Sequence, residues 1–300
     1  MGKGDGLMDR FGTALNRPVY TGETAVLASM HGKEEAFAGP LLDLLGLRLT
    51  VAEGIDTDAF GTFAGEIPRR MGMLETAIAK ARLALDRSGA DIAIASEGSF
   101  GPHPHIPFLA AGVELAVLVD ERRGIVIQES LIDDQPVYHH AEVTDMGELE
   151  AHLVRMDFPR HRLIVRPCLP GARGGATVKA IDDGKTLAEA VKAASAASLD
   201  GKAFVQTDMR AHMNPRRMTT LKRLAARLAE RAACLCPGCA SPGYGAVRME
   251  GGLPCEDCGF PTGQPLHAIF ECVACDHREK RPRPGQPEKA SSVFCAVCNP

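Results

Sequence analysis

Asp91-Ile-Ala-Ile-Ala-Ser-Glu-Gly-Ser-Phe-Gly-Pro-His-Pro-His105 is the stretch on which the fold turns. Ile92 to Ala95 is a short apolar run of the kind that forms a buried strand. Ser96-Glu97-Gly98-Ser99 then reads as a loop, because Gly98 and Gly101 allow tight turns while Pro102, Pro104 and Pro107 forbid a continuing ladder. A carboxylate, two hydroxyls and the histidines His103 and His105 are thereby expected at the end of a buried strand. That is where open α/β sheets bind ligands.

Working back toward the N-terminus, Ala25 to Ala28 is a second apolar run, followed by the tight loop Ser29-Met30-His31-Gly32-Lys33. Phe37, Leu41, Leu42, Leu44 and Leu45 mark a helix, which Gly39-Pro40 is expected to break or restart. Leu47 to Val51 is the next strand. A strand, a Gly-containing loop and a helix with Lys33 in its first turn favour an anion, through free N–H groups and the lysine charge. The spacing is not that of a P-loop.

A clear helix covers about Met73 to Arg87, with Leu74, Ile78, Ala81 and Leu85 on its buried face, Glu75 and Lys80 off it, and Gly89 as its cap. Glu66, Glu75 and Glu97 all lie near the ends of elements flanking one strand. Three carboxylates brought together would hold Mg²⁺.

Val26-Leu27-Ala28-Ser29-x-x-Gly32-Lys33-x-Glu35-x-Phe37, Glu75-Thr76-Ala77-x-x-Lys80-Ala81 and Ile94-x-x-Glu97-Gly98 follow one another in order. Over residues 25–100 this resembles the house-cleaning nucleoside triphosphate pyrophosphatases, the inosine triphosphatase and Maf-like group. Ser29-Met30-His31 stands where inosine triphosphatases usually have Thr-Gly-Asn. The resemblance implies an inosine triphosphatase-like fold and Mg²⁺-dependent hydrolysis of nucleoside triphosphates. On it, Ser29, His31, Lys33, Lys80, Ser99 and His103 would contact phosphates or substrate, and Glu97, Glu75 and Glu66 would hold the metal and orient water. The whole chain more closely resembles a bacterial family known as a domain of unknown function, through Ile94-Ala-Ser-Glu-Gly-Ser-Phe-Gly-Pro-His103 and Thr207-Asp-Met-Arg-Ala-His-Met-Asn-Pro215.

Beyond the central stretch, Val113–Asp120 and Ile125–Glu129 form a hairpin about Glu121-Arg-Arg-Gly124. His139-His140 falls in a loop. Asp145 caps a helix to about Met156, Leu163 to Val165 is a strand, and Thr186-x-x-Glu189 is a capping box for a helix to about Ser198. Phe204 to Gln206 is a strand. Asn214 and Pro215 then open a helix that buries Met218, Leu221, Leu224, Leu228 and Ala232. Arg210, His212, Arg216 and Arg217 cluster at its start and suit an anion. The basic segment opening a late helix in the inosine triphosphatase group is loosely similar.

Nine of the ten cysteines follow residue 230, and eight form Cys-x-x-Cys pairs: Cys236/Cys239, Cys255/Cys258, Cys272/Cys275 and Cys295/Cys298. Eight thiolates suit two tetrahedral Cys₄ zinc sites with no open position, hence structural. Sequential pairing (first with second, third with fourth) gives loops of ordinary length, and crossed pairing (first with third, second with fourth) is also open. Cys234 is a spare, and the lone Cys168 has no assigned role.

At 300 residues, with net charge −4 and no Trp, the chain has room for two domains and no global basic excess for nucleic acid. From Cys234 to Pro300 six basic residues face seven acidic ones, which points away from nucleic acid. With no apolar span and no signal peptide, a cytoplasmic protein is expected. The organisation expected is a flexible leader (1–22), a mixed-sheet α/β nucleotide-binding domain (23–233) and a small zinc-knuckle or zinc-ribbon module (234–300). The activity expected is a Mg²⁺-dependent hydrolase of nucleoside triphosphates or related phosphates. The alternatives are a non-catalytic nucleotide- or protein-binding module that docks through its zinc ribbon, and nucleic-acid binding through 210–231.

Overall fold

The computed structural model describes residues 18–61, 70–104, 106–170, 175–283, 285 and 287–300. Glu66, His105 and residues 1–17 of the expected leader lie outside the described residues. Residues 18–22 are no loose arm. Tyr20 is fully buried in the first core, and its N–H donates to Leu45 O at 3.1 Å.

The first sheet has the order β2-β1-β3-β4-β5, formed by β1 (Thr24–Leu27), β2 (Arg48–Val51), β3 (Ile92–Pro102), β4 (Ala110–Asp120) and β5 (Ile125–Asp133). β1 runs parallel to β2 and β3, while β3, β4 and β5 form an antiparallel meander. The mixed sheet expected from sequence is therefore present. The loop expected at Ser96–Ser99 is not. β3 continues to Pro102 because β4 pairs with it residue for residue, from Ile92↔Asp120 to Pro102↔Ala110. Gly98, which looks like a turn signal, instead serves close packing, as does Gly112 on the neighbouring strand. A Cβ on Gly98 would lie 2.6 Å from Arg217 Nη2, and one on Gly112 would lie 2.6 Å from the Phe100 ring.

Helices cover both faces of this sheet. α1 (Glu34–Leu45) and α5 (Pro215–Ala233) bury Phe37, Leu41, Leu221, Leu224 and Leu228 against Leu27, Ile94 and Leu118. α2 (Met73–Ser88) buries Ala77, Ala81 and Ala84 against Val26, Ala93 and Val117. Gly39-Pro40 does not break α1, because Phe37, Leu41 and Leu45 bury one continuous stripe across it. Pro40 forgoes one backbone bond and the packing outweighs that loss. Gly89 caps α2 in the left-handed conformation, as its sequence position suggests.

The span 134–214 holds a second sheet with its own core, a division that periodicity alone does not reveal. Its strands are β6 (His140–Val143), β7 (Leu163–Pro167), β8 (Val178–Ile181) and β9 (Ala203–Thr207), in the order β6-β9-β7-β8 and antiparallel throughout. α3 (Met146–Leu153) and α4 (Gly184–Ala197) cover it, and Leu149, Met156, Leu163, Leu187, Val191 and Val205 fill the interior. His140 opens β6 rather than lying in a loop. Asp145 caps α3 as expected. α4 starts earlier than the Thr186 signal because Asp183 accepts the N–H groups of Lys185 and Thr186.

The C-terminal module is a three-stranded antiparallel sheet of β10 (Gly245–Gly251), β11 (Pro265–Glu271) and β12 (Arg278–Pro282). It is anchored on the first sheet. Arg231 of α5 donates to Gly243 O and Ala246 O and pairs with Glu129 of β5. Gly243, at φ +93°, packs so closely on Ile127 that a Cβ would lie 2.6 Å from it. No helix among the described residues is long and apolar enough to cross a membrane.

Candidate functional site

The 2-1-3 order of the parallel strands creates a switch point between β1 and β3, with α1 and α2 packed on opposite faces. Ligand clefts form at the carboxyl ends of strands there. A cleft opens at this place, lined by Ser29, His31 and Lys33, which follow β1, and by Ser96, Glu97 and Gly98 from the middle of β3, where it runs on past the end of β1. Lys80 of α2, Arg217 of α5, and Asp208 and Arg210 complete its floor. Ile164 and Lys179 reach it from β7 and β8 of the second sheet.

Strand alternation distributes the chemistry. Ser96 and Gly98 face α1 and α5; Glu97 faces α2, on the side of Ala93 and Ala95. On the first side, Lys33 Nζ donates to Ser96 O and Ser96 Oγ, each at 3.0 Å. Beside it, Arg217 forks onto Glu114 at 2.5 and 3.2 Å, with both side chains buried, and Gly98 gives this pair room. On the other side, Lys80 Nζ bonds Glu97 Oε1 at 2.5 Å. Lys80 therefore lies on the buried face of α2, not off it: it shares a stripe with Ala77, Ala81 and Ala84 and meets the carboxylate that β3 presents. Burial, together with the Arg217 charge, pushes the Lys33 ammonium down to about 8.

Arg210 bonds Asp208 through Nε (3.0 Å) and Nη2 (2.5 Å), and Asp208 is fully buried. Counting Glu114 behind Arg217, five cations (Lys33, Lys80, Lys179, Arg210 and Arg217) face three carboxylates (Glu97, Asp208 and Glu114) among the described residues. Five cationic side chains converging on a half-enclosed cleft suit a compact anion.

Of the residues singled out in the sequence, Ser29, His31, Lys33, Lys80, Glu97, Arg210 and Arg217 meet in this cleft. His212 stands at its edge, stacked on His31 with ring centroids 5.5 Å apart and Nδ1 3.2 Å from His31 O. Others lie elsewhere. Glu75 is exposed and accepts the Gly72 N–H, as the cap of α2. Arg216 pairs with Asp133, and the N–H of Arg216 donates to His161. Ser99 is not in the lining, and His103 sits half-buried at the tip of the β3–β4 hairpin, where its Nδ1 accepts the Ile106 N–H. Among the described residues, the groups of three or more side chains arranged for a metal are the two cysteine tetrads. Lys179, Asp208 and Glu114 are contributions that no local motif announced. Asp208 lies within the distinctive 207–215 phrase, whereas Lys179 has no signal at all.

The tetrads are Cys236/Cys239/Cys272/Cys275 and Cys255/Cys258/Cys295/Cys298, which is the crossed pairing. The topology dictates it. Because β10 and β11 are antiparallel, Gly245 lies opposite Glu271, so the knuckle before β10 meets the knuckle after β11. The second and fourth knuckles meet at the other end, where Cys255 bridges to Ala290. Across the tetrads, Sγ···Sγ distances of 3.6–3.9 Å recur. Zinc–sulfur bonds of about 2.3 Å in a tetrahedron give edges of about 3.8 Å, so the donor set fits Zn²⁺. Backbone N–H groups of Gly238 and Ala274 point at Cys236 and Cys272 Sγ at 3.3 Å and would stabilise thiolate charge. Four sulfurs per site leave no open position, so the tetrads are compatible with structural zinc sites. The module has little apolar core of its own, so metals bound there would supply folding energy to it. Cys168 and Cys234 lie outside both tetrads.

No curated protein matches the chain. A family described as a domain of unknown function, DUF6671, matches residues 80–300, from α2 through both cysteine tetrads, and the chain belongs to that family.

Proposed function

We propose that the protein binds a compact phosphate-bearing small molecule, of nucleotide class, in the cleft beyond the end of β1, beside the middle of β3. The observation that carries this reading is the convergence of Lys33, Lys80, Lys179, Arg210 and Arg217 on one cleft. Arg210 and Arg217 offer planar forks for phosphate oxygens, Lys33 and Lys179 offer point charges, and the N-terminus of α1 adds its dipole. The zinc centres hold the C-terminal module and take no part in the chemistry.

Magnesium-dependent hydrolysis, implied by the likeness of residues 25–100 to nucleoside triphosphate pyrophosphatases, is the catalytic form of this reading. Its support is the position of Glu97 on the cleft wall among the cations. In that form Glu97 would hold the metal in place of Lys80 and orient water, and Lys80 would join the phosphates. A separate role for the zinc module as a protein-docking surface draws support from Phe260, Val293, Phe294 and Val297. These exposed apolar side chains lie close in sequence to the second tetrad.

Titration calorimetry with inorganic pyrophosphate and with a panel of standard and damaged nucleoside triphosphates, with and without Mg²⁺, tests the binding reading. Saturable binding that weakens in Arg210→Ala supports it; no heat from any of them overturns it. Pyrophosphate or phosphate release in the same panel, abolished in Glu97→Gln, establishes hydrolysis. Binding without release leaves a binding protein.

A further inference from the structure

The rim of the cleft differs in chemistry from its floor. Met30, Thr57 and Gly61, which follow β1 and β2, line it and carry no charge. Met30 is 49% exposed, and its Sδ accepts the Thr57 N–H at 3.2 Å, which ties the thioether to the loop after β2. His31 lines the same cleft, and His212 lies flat on it, with 21° between the ring planes and 5.5 Å between centroids. His212 Nδ1, 3.2 Å from His31 O, holds the angle of its ring. Gly32 lets the two segments approach, since a Cβ there would lie 3.3 Å from His212 Cβ. His212 is exposed, so one face of its imidazole is occupied by His31 and the rest of the ring meets solvent at the cleft edge. Two flat rings held face to face beside an exposed thioether make a surface for another flat ring, not for an anion.

The spacing along the chain gives the stack its relation to the cations. Lys33 follows His31 by two residues, and His212 follows Arg210 by two. Two residues of chain span at most about 7 Å. The stack therefore stands one short spacer from the cations, as a nucleobase stands one ribose from its phosphates. We propose that the His31–His212 stack, flanked by Met30, is a nucleobase subsite, and that the ligand is a nucleotide whose base lies on His212 while its phosphates reach Lys33, Arg210 and Arg217. This rests on the anion-binding reading and gives it selectivity: the cations take any phosphate ester, whereas the stack selects those that carry a flat ring. Stacking accepts every base and gains with ring area, so purine nucleotides bind more tightly than pyrimidine nucleotides.

The test is calorimetry on the zinc-loaded full chain with ATP, CTP and methyl triphosphate, which matches ATP in charge and has no base. The expected order of affinity is ATP, CTP, methyl triphosphate, with about 5- to 100-fold between the first and the last. His212→Ala should bring ATP down to the affinity of methyl triphosphate, and His212→Phe should keep the ratio, because a flat ring suffices. A His212 that served only to tie the two segments together would weaken all three ligands in parallel when replaced by Ala, and that result overturns the proposal. Proton NMR of the wild type decides the point even where His212→Ala does not fold. ATP, and not methyl triphosphate, should move the ring-proton signals of His31 and His212 through the ring current of the base; identical responses to the two ligands overturn the subsite. Equal binding of all three ligands by the wild type overturns the base subsite alone, and no binding of any of them overturns the anion site beneath it.

Discussion

Lys80 Nζ lies 2.5 Å from Glu97 Oε1, with both side chains almost wholly withdrawn from water. Seventeen residues apart in the chain, they join α2 to β3 across one face of the sheet. Removing one partner of a buried ion pair leaves the other unsolvated, at a cost of about 3–5 kcal/mol. Lys80→Met is therefore expected to lower stability by about that amount, and Lys80→Met/Glu97→Leu to regain most of it. Urea denaturation of the singles and the double checks this; equal losses in single and double variants would count against it.

Gly98 sits beneath the Arg217–Glu114 pair, with 2.6–2.9 Å between a built Cβ and three of its atoms, whereas Gly101 on the same strand has open space. Gly98→Ala should displace the buried pair and cost about 1–3 kcal/mol, as overpacking does. Gly101→Ala should be close to neutral. Denaturation midpoints of the two variants, compared directly, decide whether the glycine serves packing or merely a turn.

Burial lowers the Lys33 ammonium from 10.5 to about 8, Arg217 and Lys80 reinforcing the shift while Glu97 and Glu114 oppose it. Between about 8 and 10.5 the unfolded chain holds a proton that the folded chain has released. Stability from this residue therefore rises with pH across that window. Tyr20 and Tyr244, both raised above 10 by burial, act in the opposite sense only at higher pH. Thermal melts from pH 8 to 10 should show wild type gaining relative to Lys33→Met. Pyrophosphate affinity should fall over the same interval, because the anion favours the charged form. Parallel curves for the two proteins would refute the shift.

The crossed tetrads make a stoichiometric prediction. Cys236→Ala/Cys275→Ala alters one site and should leave one zinc per chain. Cys236→Ala/Cys298→Ala alters both and should leave fewer, with loss of the C-terminal sheet. Elemental analysis of the purified variants reads the metal content. Chelation of wild type should unfold the module while the cores around Leu118 and Val205 persist.

The parts legible in the sequence are those fixed by local physics. The apolar run of β1, the stripes of α2 and α5, the Asn214 cap and the Gly89 terminus all follow from periodicity and end chemistry within a few residues. Gly98, Gly101 and Pro102 misled because the ladder that keeps β3 extended comes from β4, beyond the hairpin. Lys80 was placed off the buried face because hydropathy ranks it as polar; its partner Glu97 lies on another element. Arg217 shows the same effect, hidden against Glu114, 103 residues away. The zinc pairing was open in cysteine spacing alone. It is decided by the β10–β11 hairpin, whose register could be read only from strands the cysteine spacing does not mark.

The second sheet begins and ends on adjoining strands, His140 of β6 lying opposite Gln206 of β9. Its two connections to the rest of the chain therefore leave side by side, as on a hinge pin. β8, which carries Lys179, is the strand two places beyond β9, about 10 Å away at ordinary strand spacing. A swing of roughly 10° about the β6–β9 edge would carry that strand by about 1.7 Å, the span between a hydrogen bond and none. The unit is in effect a lever, with its fulcrum at the chain crossings and one charge of the cleft at its tip.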